Sequence, residues 1–218
     1  MFDFLRKAIR AARNEGKPEA QHNAPNPTGL RRGGFVSVDA LPFRMHAEHL
    51  LFTAPEGSQK IEAFGHVDLG AGAELQRYYL SDDCWIQIST TSGSVDDIKL
   101  WSFVETKNPA NREAFDRWLS RDSEIGQPRI SHGGRDYRRV WGEDAAWAPP
   151  VCFDERVYTR SDAIPEYTTT HHCMLFERDV EAAGRMEYLF VSAELTGEDF
   201  SVVYSAGVDI TLADLNVT

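Results

Sequence analysis

The longest stretch of patterned hydrophobicity lies near the C-terminus, over residues 168–209. It divides into three apolar segments, 168–178, 185–194 and 200–209, parted by the polar breaks 179–184 and 196–199. Three strand-length runs joined by short breaks predict an antiparallel meander. Met174 and Phe176 alternate with Cys173 and Leu175, and Tyr188 and Phe190 alternate with Leu189 and Val191. Strands apolar on both faces are expected to be covered on both sides.

Upstream, Arg31-Arg32-Gly33-Gly34 reads as a turn into a short alternating strand, 35–38. Further strands are expected over 49–53 and 60–69. In the latter Ile61, Ala63, Gly65, Val67 and Leu69 hold one face. Residues 75–80 and 84–90 predict a hairpin across Ser81-Asp82-Asp83. A loop over 91–95 then leads to a strand over 98–104. One internal helix is expected over 109–121. Asn108 suits its N-cap, Pro109 its first position, and Phe115, Trp118 and Leu119 share a face. Strands over 137–141 and 151–159 complete the set. Roughly ten strands are too many for one flat sheet. The fold class is therefore α+β: β-rich and antiparallel, as two packed sheets or a partly closed barrel, with one main internal helix and a separate N-terminal helix.

That N-terminal helix is read over residues 1–16. Phe2, Leu5 and Ile9 form an apolar stripe, and Arg6, Lys7, Arg10 and Arg13 lie beside it. Residues 17–29, with three prolines and little to bury, form a linker, and residues 30–218 a single globular domain.

Charge sharpens this division. The chain of 218 residues carries −11, yet residues 1–17 alone carry +3, so the other 201 carry −14. An acidic body disfavours nucleic acid as a partner. The basic segment fits a protein partner's groove, or a weak contact with an anionic membrane. Three cysteines, Cys84, Cys152 and Cys173, suit reduced thiols and a cytoplasmic protein. No stretch has the apolar length of a membrane span, and no secretory leader is evident.

Candidate chemistry is sparse. His171-His172-Cys173 is the densest cluster. In a strand His171 and Cys173 share a face and His172 points away, so the cluster supplies one metal with at most two ligands where zinc needs three or four. No metal is expected. His66, His132, Cys84 or Asp68 would have to join His171 and Cys173 to make a site. Cys173 and His172 point apart, which disfavours a nucleophilic pair. Asp82-Asp83 and Asp96-Asp97 read as turn carboxylates. His132-Gly133-Gly134 lacks the Gly-x-Ser-x-Gly elbow that would make it an oxyanion loop. No cofactor motif is present, and no cofactor is expected.

Residues 96–100 (Asp-Asp-Ile-Lys-Leu), 171–178 (His-His-Cys-Met-Leu-Phe-Glu-Arg) and 207–209 (Gly-Val-Asp) resemble segments of the YjfK-like family of bacterial proteins of unknown function. The resemblance runs from about Leu30 to Thr218 and brings no catalytic residues with it. It implies a bacterial, cytoplasmic protein with a link to membrane-stress coat proteins of the PspA type, and with the basic N-terminal segment it allows a place peripheral to the inner membrane. The expected function is a non-enzymatic interaction or adaptor role. The alternative is an enzyme or metal-binding protein built on His171, His172 and Cys173.

Overall fold

The structure is a computed structural model and describes residues 28–121, 123–142, 146–159 and 164–218. The expected N-terminal helix and nearly all of the linker lie outside the described residues.

Twelve strands are found among the described residues: β1 (Phe35–Val38), β2 (Ser58–Gly70), β3 (Ala73–Leu80), β4 (Cys84–Thr91), β5 (Ser94–Lys107), β6 (Arg129–His132), β7 (Arg135–Arg139), β8 (Val151–Tyr158), β9 (Tyr167–Val180), β10 (Arg185–Thr196), β11 (Asp199–Ile210) and β12 (Leu215–Val217). Two α-helices accompany them, α1 (Leu41–Arg44) and α2 (Arg112–Leu119). The path β2-β3-β4-β5-β11-β10-β9 is antiparallel throughout. Strand β8 pairs with β9 over its length and with β2 through Phe64–His66. This closes a barrel of eight strands, with no free edge along its circumference. The strands thus close on themselves rather than stacking as two sheets. β1 and β12 extend the lower half of β2, and β7 and β6 extend β9.

The meander runs as its pattern predicts. β9, β10 and β11 pair in sequence, and every residue of β10 from Glu187 to Ala193 is buried. One face lines the lumen. The other packs under Phe115, Ile125, Ile130 and Tyr137, with Phe115 of α2 at 5.4 Å from the Phe200 ring. On the opposite side Phe43 of α1, Leu50 and Phe52 cover Tyr78, Ile86, Leu100 and Val208. A barrel this small therefore has two apolar layers, one inside its wall and one outside.

Four expectations are corrected. Residues 49–53 are not a strand. Their backbone donors turn instead to the buried Glu187 carboxylate, whose Oε1 accepts from Leu51 N–H (2.6 Å) and Phe52 N–H (2.8 Å). Its Oε2 accepts from Tyr137 OH (2.9 Å) and Arg178 Nε (2.7 Å). The loop expected over 91–95 shrinks to the two-residue turn Ser92-Gly93. Both residues have positive φ, 51° and 82°, a mirror-image turn that matches strand twist. The helix starts later than Pro109, because β5 runs on to Lys107 and leaves 108–110 as a link. Asn111 is the N-cap, its side chain accepting from Ala114 N–H at 2.9 Å. It also ends at Leu119 rather than at 121.

Candidate functional site

The side chains that face the lumen identify themselves by contacts between strands that are not neighbours. Arg77 of β3 meets Glu155 of β8 at 2.6 Å, and Trp85 of β4 lies 6.3 Å from Phe190 of β10, centroid to centroid. Trp85 stacks on Trp101 across the β4–β5 pair at 5.2 Å and 11°. Gly207 stands opposite Trp101 in register, and a Cβ there would overlap the indole. These rings and Arg77 form a layer across the lumen with space on either side. On one side is a cavity of about 40 Å³ bordered by Ser89, Asp97, Lys99 and Trp141. On the other is a cavity of about 530 Å³, reached past Glu62, Phe103 and Tyr167.

The floor of the larger cavity is a buried charge network. Arg77 is 2% exposed and Glu155 0%. Glu155 Oε2 accepts from Arg77 Nη1 and lies 2.9 Å from His171 Nε2, while Oε1 accepts from Tyr79 OH at 2.7 Å. His171 Nδ1 lies 2.9 Å from Ser192 Oγ and 3.4 Å from Glu194 Oε1. Arg77 Nε donates to Gln87 Oε1 at 3.2 Å, and its guanidinium lies over the rings of Trp85, Phe153 and Phe190 at 4.8–5.4 Å. Gly65 makes room for this arrangement, since a Cβ on it would overlap Glu155 Oε1.

Burial pushes both Glu155 and His171 toward their neutral forms, and their partners outweigh it. Arg77, His171 and Tyr79 hold the Glu155 carboxyl down at about 2. Hydrogen bonds to Glu155 and Glu194 raise the His171 imidazole above its ordinary value. The sign for stability follows from linkage. A lowered carboxyl stabilises the fold above its ordinary value near 4.5, and that contribution is lost as pH falls toward about 2. A raised imidazole stabilises it below the ordinary value near 6.5, and that contribution is lost as pH rises through the raised value. Both contributions are present between about pH 4.5 and 6.5. The gap in urea midpoint between the wild type and His171→Gln is therefore expected to narrow as pH rises above this window. A gap that stays constant up to pH 9 would show that the imidazole is neutral throughout.

Among the residues singled out in the sequence, His171 and Cys173 share the lumen face, as alternation predicts. The buried Cys173 thiol, pushed well up by burial, donates to the Val151 carbonyl at 3.5 Å. His172 faces outward, and burial and the Arg112 charge lower its imidazole. The other candidates lie elsewhere. His66 is on the outer face of β2, 3.5 Å from Glu74, and His132 stacks on Tyr204 at 4.4 Å. The Cys84 thiol faces the Thr53 carbonyl, and Asp68 accepts from Gly70 N–H. Among the described residues no three His, Cys, Asp or Glu side chains come together in a group that could hold a metal. Phe2, Leu5, Arg6, Lys7, Ile9, Arg10 and Arg13 lie outside the described residues. Arg77 and Glu155, the centre of the network, went unremarked in the sequence. Each had a readable sign, a charge standing between apolar residues on one strand face: Leu75-Arg77-Tyr79 and Phe153-Glu155-Val157.

Fold and interior together define a closed antiparallel β-barrel with a polar-floored, aromatic-walled cavity. The chain belongs to the family described as "Protein of unknown function (DUF2491)", whose model matches residues 10–216. It is similar to the uncharacterized protein YjfK of Escherichia coli (strain K12), with 28% identity over 212 residues that cover 93% of this chain and 95% of that protein. This bears out the resemblance drawn from residues 96–100, 171–178 and 207–209. No solved structure matches the chain. Among the described residues no helix is long and apolar enough to cross a membrane.

Proposed function

We propose that this protein is a non-enzymatic binding protein whose barrel holds a small organic ligand. The supporting observation is the cavity of about 530 Å³ at one end of the lumen. Its size falls in the range of small-molecule sites, and eight-stranded barrels have room for one such ligand. The ionisable groups around it favour holding over reacting. A general base works best with a pKa near the operating pH. Glu155 is held at about 2, Tyr79 is pushed well up, and both ring nitrogens of His171 are already engaged. A screen of small molecules against the full chain by ligand-observed NMR tests this. Compounds are expected to bind the wild type and to lose binding in Ala63→Phe, which places a ring in the cavity. Binding unchanged by that substitution in a folded protein would place the ligand elsewhere.

A second reading, an adaptor docked through residues 1–16, draws on the contrast between +3 over residues 1–17 and −14 beyond them. It includes a peripheral contact with the inner membrane and a partner among PspA-type proteins. Co-sedimentation with anionic and neutral vesicles, and recovery of a co-purifying protein, tests it for the full chain and for a chain beginning at Thr28. If the deletion changes neither, this reading falls.

A further inference from the structure

The lining of the larger cavity is chemically lopsided. It contains three carboxylates, Glu62, Glu155 and Glu194, against the two cations Arg77 and His171. Arg77 and Glu155 cancel in a 2.6 Å pair. His171 lies between Glu155 and Glu194, and even when it is charged the lining keeps one negative charge in excess. Glu194 is 25% exposed and approaches His171 through Oε1 at 3.4 Å. Glu62 stands exposed at the mouth.

Among the described residues of the lining, no cation is left uncommitted for an anion. Arg77 gives its hydrogen bonds to Glu155 and Gln87 and is enclosed by three aromatic rings. The wall at the mouth is aromatic. Phe103 and Tyr167 line the cavity while remaining 41% and 42% exposed. Large apolar rings left at the rim of a cavity mark a binding surface, and ring faces attract cations. The negative charge of the body repels anions on approach and draws cations in.

Building on the ligand-binding reading above, we infer that the cavity takes an organic cation, an ammonium or guanidinium group on an apolar body. The charged group sits against Glu194 and the body against Phe103 and Tyr167. Glu194 supplies the acceptor and the charge, the rings supply area and cation–π attraction, and Arg77, Tyr79 and His171 hold Glu155 out of competition.

Three ligands of one shape separate this inference from the reading it rests on: benzylamine, benzyl alcohol and benzoate, titrated into the full chain and followed by NMR. Benzylamine is expected to bind about tenfold tighter than benzyl alcohol, with benzoate weakest, and to weaken at high salt. Glu194→Gln should remove most of that advantage, weakening benzylamine far more than benzyl alcohol. If the neutral or anionic ligand binds as tightly as the amine, or Glu194→Gln leaves the amine's affinity intact, the cation inference fails while the ligand cavity stands. If none of the three binds at millimolar concentration, the cavity reading fails with it. The wild-type comparison needs no variant, so a poorly folded Glu194→Gln would not obscure the result.

Discussion

Replacing Arg77 by methionine should destabilise the barrel by about 3–5 kcal/mol, the usual cost of removing one member of a buried ion pair. Most of the cost does not arise from lost packing, because methionine fills the volume of the arginine stem and gives up only the guanidinium's place over Trp85, Phe153 and Phe190. It arises from Glu155, which is 0% exposed and cannot turn to solvent. With the guanidinium gone, only Tyr79 OH and His171 remain to hold the charge. The carboxyl then climbs from about 2, and either a buried charge loses its main partner or the group takes up a proton. Arg77→Met combined with Glu155→Gln removes both charges and should recover much of the loss, because a matched uncharged pair leaves no orphan. Urea unfolding at pH 7 of the wild type, both single variants and the double variant gives the coupling directly. If the double variant is as unstable as the sum of the singles, the two side chains do not interact, and the floor of the cavity is not the network described.

Much of this architecture was legible because it is local. The period-two pattern gave Phe35–Val38 to the residue, the three-strand meander within one or two residues at each end, and the opposite facing of His171 and His172. Pairing between distant segments does not leave such a trace. Residues 151–159 read as a strand, but nothing in them says that β8 pairs with both β2 and β9 and so closes the barrel. Residues 49–53 have the composition of a strand, and only a carboxylate 135 residues away in sequence makes them a strap. Asn108-Pro109 is a sound helix start that lost to the continuation of β5. The candidate site followed the same rule. His171 was visible as part of a rare cluster, whereas Arg77 and Glu155 each carried half of a sign that becomes a pair only once the lumen is closed. Four faint interruptions of apolar faces, at Gly65, Arg77, Glu155 and Gly207, turn out to be one feature. The two glycines clear the space that the ion pair and the stacked indoles occupy.

Truncating Phe190 to alanine should cost about 3–5 kcal/mol, and it should also change what the barrel can hold. The ring lies at the centre of the lumen, 5.8 Å from Trp101 and 6.3 Å from both Trp85 and Trp141. It also forms one of the three faces around the Arg77 guanidinium, at 5.4 Å. The upper part of that range is expected because the surroundings cannot collapse. The wall is a closed hydrogen-bonded ring of strands, and Trp85 and Trp101 are already stacked on each other. Phe190 borders both the 40 Å³ and the 530 Å³ cavities, so its loss joins them through an apolar gap. Such a gap, lined by indole rings, aliphatic carbon and one face of the Arg77 guanidinium, accepts a small aromatic molecule. Benzene should therefore bind Phe190→Ala better than the wild type and restore part of its stability in proportion to the logarithm of its concentration. Urea midpoints of both proteins with and without benzene measure this. A loss below about 1 kcal/mol would mean that the neighbouring rings can fill the space, and the rigid aromatic layer across the lumen would have to be abandoned. A large loss with no rescue by benzene would mean that the wall itself yields when the ring is removed, so that the separation of the two cavities depends on more than this one side chain.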